Sequence, residues 1–278
     1  MKTNLNYKAW SNKNCVDYYA SKRHVIDDIY DSEKFFILPI ITNLDTVLDI
    51  GCAAGGFSKI LKSLNPNIHY IGLDTSKEMI NKAKILHPDE KFILGNGDTI
   101  DFPDNTFDLV LCTSVMHHVP HYKKLISEIY RVSRKFVILD LPRITTEDVR
   151  FNSQTDKMNL KNRFPGLNEN FPKEETIVPY VFVNINEIYS FLFNDLQPKP
   201  AALASTGYFG EKIHNSVNVP VSQFCFNVIL LIKNNRDNPY TLTYIDLPID
   251  YKESLESNQF SYNIKLEISL KTILNLNS

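Results

Sequence analysis

Three aspartates close three apolar runs: Asp49 in VLDIGCAAGGFSKIL, Asp74 in HYIGLDT and Asp98 in KFILGNGD. A carboxylate in such a place accepts hydrogen bonds from ribose hydroxyls or an exocyclic amine, and it attracts cations. The turn that follows Asp49 holds Gly51 and Gly55, which let the backbone bend sharply and a ligand approach without a Cβ in the way. Gly51, Ala53 and Gly56 spell a G-x-A-x-x-G variant of the dinucleotide fingerprint, whose helix end attracts pyrophosphate. Asp74 falls 23 residues after Gly51, where a carboxylate takes both ribose hydroxyls. NAD and adenosyl ligands share that feature, and a plainer role for Asp74 is to cap the following helix. Asp98 suits the exocyclic amine of adenine, with the Thr99 N–H donating to a ring nitrogen; its plainer role is as one turn former in GNGDTIDFPDNT. Asp49 separates the two ligand classes. An acid beside the turn repels pyrophosphate and attracts a ligand bearing an ammonium and a sulfonium.

A second group of candidates follows the run FDLVLCTS. His117 and His118 are candidates for a general base toward a hydroxyl nucleophile, a role an imidazole suits at neutral pH, against a purely structural loop role, and His121 is assigned to the start of the next helix. Tyr18 and Arg23 are placed on an N-terminal helix, where Arg23 either meets a ligand carboxylate or belongs to a solvated face. Tyr180, Phe182, Tyr208 and Phe209 line a pocket or fill the core, the phenylalanines being assigned to the core. Cys15, Cys52, Cys112 and Cys225 are scattered without C-x-x-C or zinc spacing, so free thiols and no metal site are expected.

Positioning these residues requires a sheet. TVLDI, HYIGLDT, KFILGNGD, FDLVLCTS and RKFVILDLP read as five strands, separated by the helices GFSKILKSLN, SKEMINKAKILH (N-capped by Ser76) and HYKKLISEIYRVS. Strands apolar on both faces that alternate with helices predict a parallel sheet covered on both sides. Residues 1–42 read as an amphipathic helical lid. Residues 43–233 read as the main domain, with a polar insertion at about 144–183 over an acceptor site, and 234–278 as a C-terminal extension of unassigned role. PAALASTGYFG and FCFNVILLIK read as two further strands.

Composition sets the outer limits. With 278 residues, 43% hydrophobic, and a net charge of −2, the chain buries a full core and carries no basic footprint for nucleic acid. No apolar run is long enough for a membrane span, and the N-terminus lacks a secretory signal, so a cytoplasmic protein of undetermined oligomeric state is expected.

Taken in order, VLDIGCAAGGF, YIGLDTSKEMINKAK, GDTIDFPDNTFDLVLCTSVMHHV and EIYRVSRKFVILD resemble the class I S-adenosylmethionine-dependent methyltransferases, in particular the broad group acting on small molecules. The resemblance covers roughly residues 45–141. It implies a Rossmann-like seven-stranded sheet with the last strand antiparallel. It also implies S-adenosylmethionine as donor and S-adenosylhomocysteine as product. Carried over by position, it places Asp49, Gly51, Ala53 and Gly55 on the methionine part, Asp74 on the ribose, and Thr75 and Met79 on either side of the adenine. Asp98 and Thr99 would hold the adenine edge, and Thr113 would sit near the sulfonium. Ala53 departs from the family's middle glycine, a change tolerated if its φ is negative. The expected function is methyl transfer to a small molecule, with a hydroxyl oxygen of a sugar, nucleotide-linked intermediate or other metabolite as target. An NAD-dependent Rossmann oxidoreductase and a non-catalytic S-adenosylmethionine-binding module are the alternatives.

Overall fold

The computed structural model describes residues 7–160, 177–210, 217, 219–233 and 241–257. Five strands alternate with helices as the apolar patterning dictates: β1 (Thr46–Ile50), α3 (Gly56–Leu64), β2 (His69–Asp74), α4 (Lys77–Leu86), β3 (Lys91–Leu94), β4 (Phe107–Cys112), α5 (Tyr122–Val132) and β5 (Ser133–Asp140). They are preceded by two short helices, α1 (Lys13–Ala20) and α2 (Asp31–Ile37). These strands pair in parallel in the order β5, β4, β1, β2, β3. The fifth strand is followed by β6 (Arg143–Thr145), then β7 (Lys157–Asn159), β8 (Ile177–Pro179), β9 (Phe182–Asn184) and α6 (Ile185–Ser190). The two late strands are β10 (Ala202–Phe209) and β11 (Cys225–Ile232). β11, the seventh strand of the expected sheet, lies between β5 and β10 and runs antiparallel to both.

The sheet extends beyond the seven expected strands. β12 (Leu242–Asp246), from the C-terminal segment that sequence patterning did not place, pairs in parallel with β10, and α7 (Ile249–Ser257) follows it. β6 and β9 form a small ladder joined to β11 through the Cys225 and Ile144 pair.

Alternation along the strands builds two cores. Leu48, Val110, Val137 and Leu139 face one side with α5, α6 and α7. Val47, Leu109, Leu111, Phe136 and Ile138 face the other with α2 and α3. Both faces are apolar because both are covered. A third, smaller cluster lies over the strand ends and joins Cys15 and Val16 of α1 to Met158, Val178, Tyr180 and Phe182 of the insertion. α2 behaves differently from α1, burying Phe36 and Ile37 in the sheet core itself.

Candidate active site

A cavity of about 520 Å³ opens over the carboxyl ends of β1, β2, β4 and β5. Open parallel sheets collect ligands there because strand order reverses between neighbouring elements. Gly51, Ala53, Asp74, Thr75, Met79, Asp98, Thr113, His117, His118 and Arg23 all line it. Asp49, Gly55 and Thr99 do not appear in its wall.

The glycine-rich turn explains itself locally. Gly51 and Gly55 take φ of +74° and +83°, in the left-handed region that glycine enters without a steric penalty. A Cβ on Gly51 would meet Val115 Cγ2 at 2.3 Å, so the turn and the segment leading to the histidines are in direct apolar contact. Gly55 is the residue ahead of α3, and a Cβ there would strike the Phe92 ring at 2.7 Å, a packing role rather than a cavity contact. Ala53 does not meet the condition of a negative φ: it adopts +49°. For an L-residue this conformation costs about 1–2 kcal/mol.

Asp49 lies beneath the turn, 2% exposed, and accepts a 2.6 Å hydrogen bond from Tyr70 Oη. Burial, opposed by that bond, pushes its carboxyl up to about 6. Asp74 accepts from Ala53 N at 2.9 Å with Oδ2 and from Ser76 N at 2.8 Å with Oδ1. The cap of α4 is Ser76, whose Oγ accepts from Met79 N, as its position ahead of the helix predicted. A carboxylate has about four acceptor sites, so Asp74 keeps accepting capacity beyond its backbone N–H partners. Burial raises the Asp74 pKa, and the Ser76 and Ala53 N–H groups oppose the rise. At the next strand end, Asp98 Oδ1 lies 2.7 Å from His121 Nε2, on the residue that precedes α5. The Thr99 N–H is turned to Asn96 O at 3.3 Å.

Arg23 departs from its assigned place. α1 ends at Ala20, and Arg23 follows in a left-handed loop position, φ +60°, with its guanidinium over the Phe57 ring at 4.4 Å. It donates to Glu33 Oε1 at 3.1 Å and Ser114 Oγ at 3.4 Å, so it bridges the N-terminal segment to the end of β4 instead of facing solvent from a helix. Tyr18 does lie on α1. Of the aromatics, Tyr180 and Tyr208 line the cavity and Phe182 is buried. Phe209 is 42% exposed, contrary to its assignment to the core; β11 pairs with β10 as far as Phe209, but β12 ends its pairing at Thr206.

The two histidine rings lie 4.0 Å apart and both pack on Tyr180, but their polar partners differ. His118 Nδ1 lies 2.8 Å from Pro179 O, and its ring packs on Trp10 at 4.9 Å. His117 Nδ1 lies 3.7 Å from Asp140 Oδ2 at the end of β5. Burial pushes Asp140 up to about 6, with Arg143 and backbone N–H groups pulling against it. Asp140, Arg143 and Glu33 were missed in the sequence. Asp140 closes an apolar strand as Asp49 and Asp74 do, and VILDLPRIT carried that signal; Glu33, in a short amphipathic stretch, carried none. Among the described residues, no group of three or more His, Cys, Asp or Glu is arranged to hold a metal ion.

Comparison with known proteins falls on this framework. Residues 48–138 match the model of a methyltransferase domain. This stretch is a class I S-adenosylmethionine-dependent methyltransferase domain. The chain is 33% identical over 128 residues to an uncharacterized protein of Methanocaldococcus jannaschii, a match covering 45% of this chain and 53% of that one. A phthiotriol/phenolphthiotriol dimycocerosates methyltransferase of Mycobacterium tuberculosis is 34% identical over 91 residues, 32% of this chain and 33% of its own. A ubiquinone/menaquinone biosynthesis C-methyltransferase of Rickettsia typhi is 27% identical over 162 residues, 51% of this chain and 65% of its own. The methyltransferase match thus spans between about a third and two thirds of the length of these relatives. Among solved structures, a SAM-dependent methyltransferase from Aquifex aeolicus aligns with a TM-score of 0.42 at 18% identity, covering 73% of this chain and 90% of that one. No described helix is long and apolar enough to cross a membrane.

Proposed function

We propose that the chain transfers a methyl group from S-adenosylmethionine to a small molecule held under α1 and the insertion, with a hydroxyl oxygen of a sugar, nucleotide-linked intermediate or other metabolite as target. The observation that carries this reading is the sign and place of the charges. The turn at Gly51–Gly56 is backed by Asp49 and flanked by Asp74, which suits a cationic adenosyl ligand and opposes a pyrophosphate.

The donor's ribose hydroxyls donate to Asp74, which keeps its position through two backbone N–H groups. Gly51 and Ala53 receive the methionine part, with Gly55 shaping the turn and Asp49 supplying negative charge from below. Thr75 and Met79 flank the adenine, and Asp98 with the loop at Thr99 meets its edge. Thr113 stands near the sulfonium, and Arg23 pairs with the donor carboxylate while held by Glu33. When bound, S-adenosylmethionine supplies an electrophilic methyl on a sulfonium.

The chain's own contribution is alignment and proton handling. Holding the nucleophile in line supplies much of the rate of such a displacement. His117 takes the acceptor's proton, and Asp140 at 3.7 Å orients the ring and stabilises its charged form. His118, bound to Pro179 O, ties the insertion to the wall of the site. The C-terminal extension, through β12, braces the sheet edge beside β10.

Incubating purified protein with labelled S-adenosylmethionine and fractionated small molecules tests the reading directly. Transfer of label to one fraction, together with thermal protection by S-adenosylhomocysteine and none by NAD, is the expected outcome. Protection by NAD alone would replace it with the oxidoreductase reading. Tight donor binding without any label transfer would leave a non-catalytic binding module.

A further inference from the structure

Arg143 sits in the cavity wall with more donors than partners. It is 8% exposed, and its Nε donates to Tyr180 Oη at 2.8 Å. Its guanidinium lies over the Phe226 ring at 4.2 Å and near the Tyr180 ring at 5.5 Å. Among the described residues the nearest carboxylate, Asp140 Oδ2, is 3.9 Å from Nη1, within ion-pair range and outside hydrogen-bond distance. Among the described residues, neither terminal nitrogen donates a hydrogen bond. A guanidinium carries five N–H donors in a rigid fork that matches carboxylate and phosphate oxygens in pairs. Leaving a buried cation's donors unmet is costly, so a side chain held flat by two rings and one hydrogen bond is prepared for an oxygen pair that the described residues do not provide.

The same wall also bears the opposite charge. Asp140 Oδ2 lies 3.7 Å from His117 Nδ1 and 3.9 Å from Arg143 Nη1, so the carboxylate makes no two-point bond with the guanidinium. Arg143 follows the end of β5 by three residues and stands among Tyr180, Tyr208 and Phe226, the side of the cavity away from Asp74 and the glycine-rich turn. A ligand reaching it would also meet aromatic surface.

We propose that Arg143 is the anchor for an anionic group, a carboxylate or a phosphate, on an acceptor that also carries a flat apolar part. This rests on the methyl-transfer reading in placing the acceptor there, and it narrows that reading to acidic acceptors. Positioning by a fork two atoms wide fixes the acceptor's rotation as well as its distance, which in-line transfer requires.

The test uses the full chain saturated with S-adenosylhomocysteine and titrated calorimetrically with benzoate, phenyl phosphate and benzamide. At least one anion binds on the order of tenfold more tightly than benzamide, as expected for charge-assisted bonds. Preference for benzoate or for phenyl phosphate then separates the two anionic groups. Arg143→Gln abolishes the preference while affinity for S-adenosylhomocysteine stays unchanged. Arg143→Lys, which keeps the charge and the stem, binds the preferred anion roughly tenfold more weakly than wild type. Equal affinity for benzamide and both anions, or no anion binding up to about 10 mM, overturns the proposal. So does an unchanged preference in Arg143→Gln, or, if that variant does not fold, an unchanged anion affinity in Arg143→Lys. Failure of S-adenosylhomocysteine to bind the wild type removes the methyl-transfer reading instead; the same titrations on the free protein then decide the role of Arg143 alone.

Discussion

The two ends of the cavity are held by different means. At the β1 and β2 ends, ligand-facing groups are fixed by backbone: Asp74 is gripped by the Ala53 and Ser76 N–H groups, and the turn is set by left-handed residues. At the β4 and β5 ends they are fixed by groups distant in sequence, as where Arg143 meets the Tyr180 hydroxyl and His118 meets the Pro179 carbonyl. Backbone geometry tolerates drift in neighbouring side chains, whereas a wall assembled from side chains changes whenever one of them does. The first arrangement suits a ligand that never changes, and the second suits an acceptor that differs between related enzymes.

Substitutions at the two ends should therefore fail differently. Asp140→Asn is expected to lower kcat about 10²-fold or more while leaving affinity for S-adenosylhomocysteine within error, because it removes the charge supporting His117. It should also move the acidic limb of the pH–rate profile; a drop in donor affinity of the same size would erase the distinction between the two ends. Asp74→Ala should do the reverse, weakening donor affinity by roughly 1.5–3 kcal/mol, the worth of hydrogen bonds to a charged group, with kcat at saturating donor nearly kept. Calorimetric titration with S-adenosylhomocysteine reads this loss, and wild-type affinity would sink the ribose assignment.

Two smaller effects sharpen the backbone side. The folded protein holds Asp49 at about 6 against an ordinary 3.8, so folding disfavours its charged form relative to the unfolded chain. The stability contributed by this group is present in full below the lower value and is lost as pH rises through about 6. Asp49→Asn should therefore raise Tm relative to wild type by about 3 °C or more near pH 7.5, and by much less near pH 4.5. An equal change at both pH values would mean that Asp49 is not protonated on folding. Ala53→Gly should relieve the left-handed strain and, after the added freedom of the unfolded chain, leave a net gain of up to about 1 kcal/mol, roughly 2–4 °C in Tm. A fall in Tm would show that the turn is not strained.

Much of this was legible in the sequence because it depended on local pattern. Strands apolar on both faces specified β1 to β5, and the run FCFNVILLIK specified β11, since each signal resides within one short segment. The cavity residues at the strand ends followed from topology. What was not legible depended on long-range placement. Arg23 read as a helix residue because SKRH gives no sign that the chain turns left-handed there and drops the guanidinium onto Phe57. Arg143 and Glu33 became visible only when β9, α2 and the ends of β4 and β5 met. β12 escaped notice because TLTYID alternates weakly and pairs with a strand some forty residues earlier.

The contact between Gly51 and Val115 has a consequence for sequence variation. A side chain at 51 would occupy the space that Val115 Cγ2 now fills, so the two positions share a single volume. Among chains built on the same turn, a larger residue at 51 would need a smaller one at 115 and would also have to hold the left-handed φ of Gly51, so the two positions constrain each other although 63 residues of sequence lie between them. The spacing between the two ends of the cavity would then be inherited as a property of that pair, and selection for a new acceptor would have to work around it.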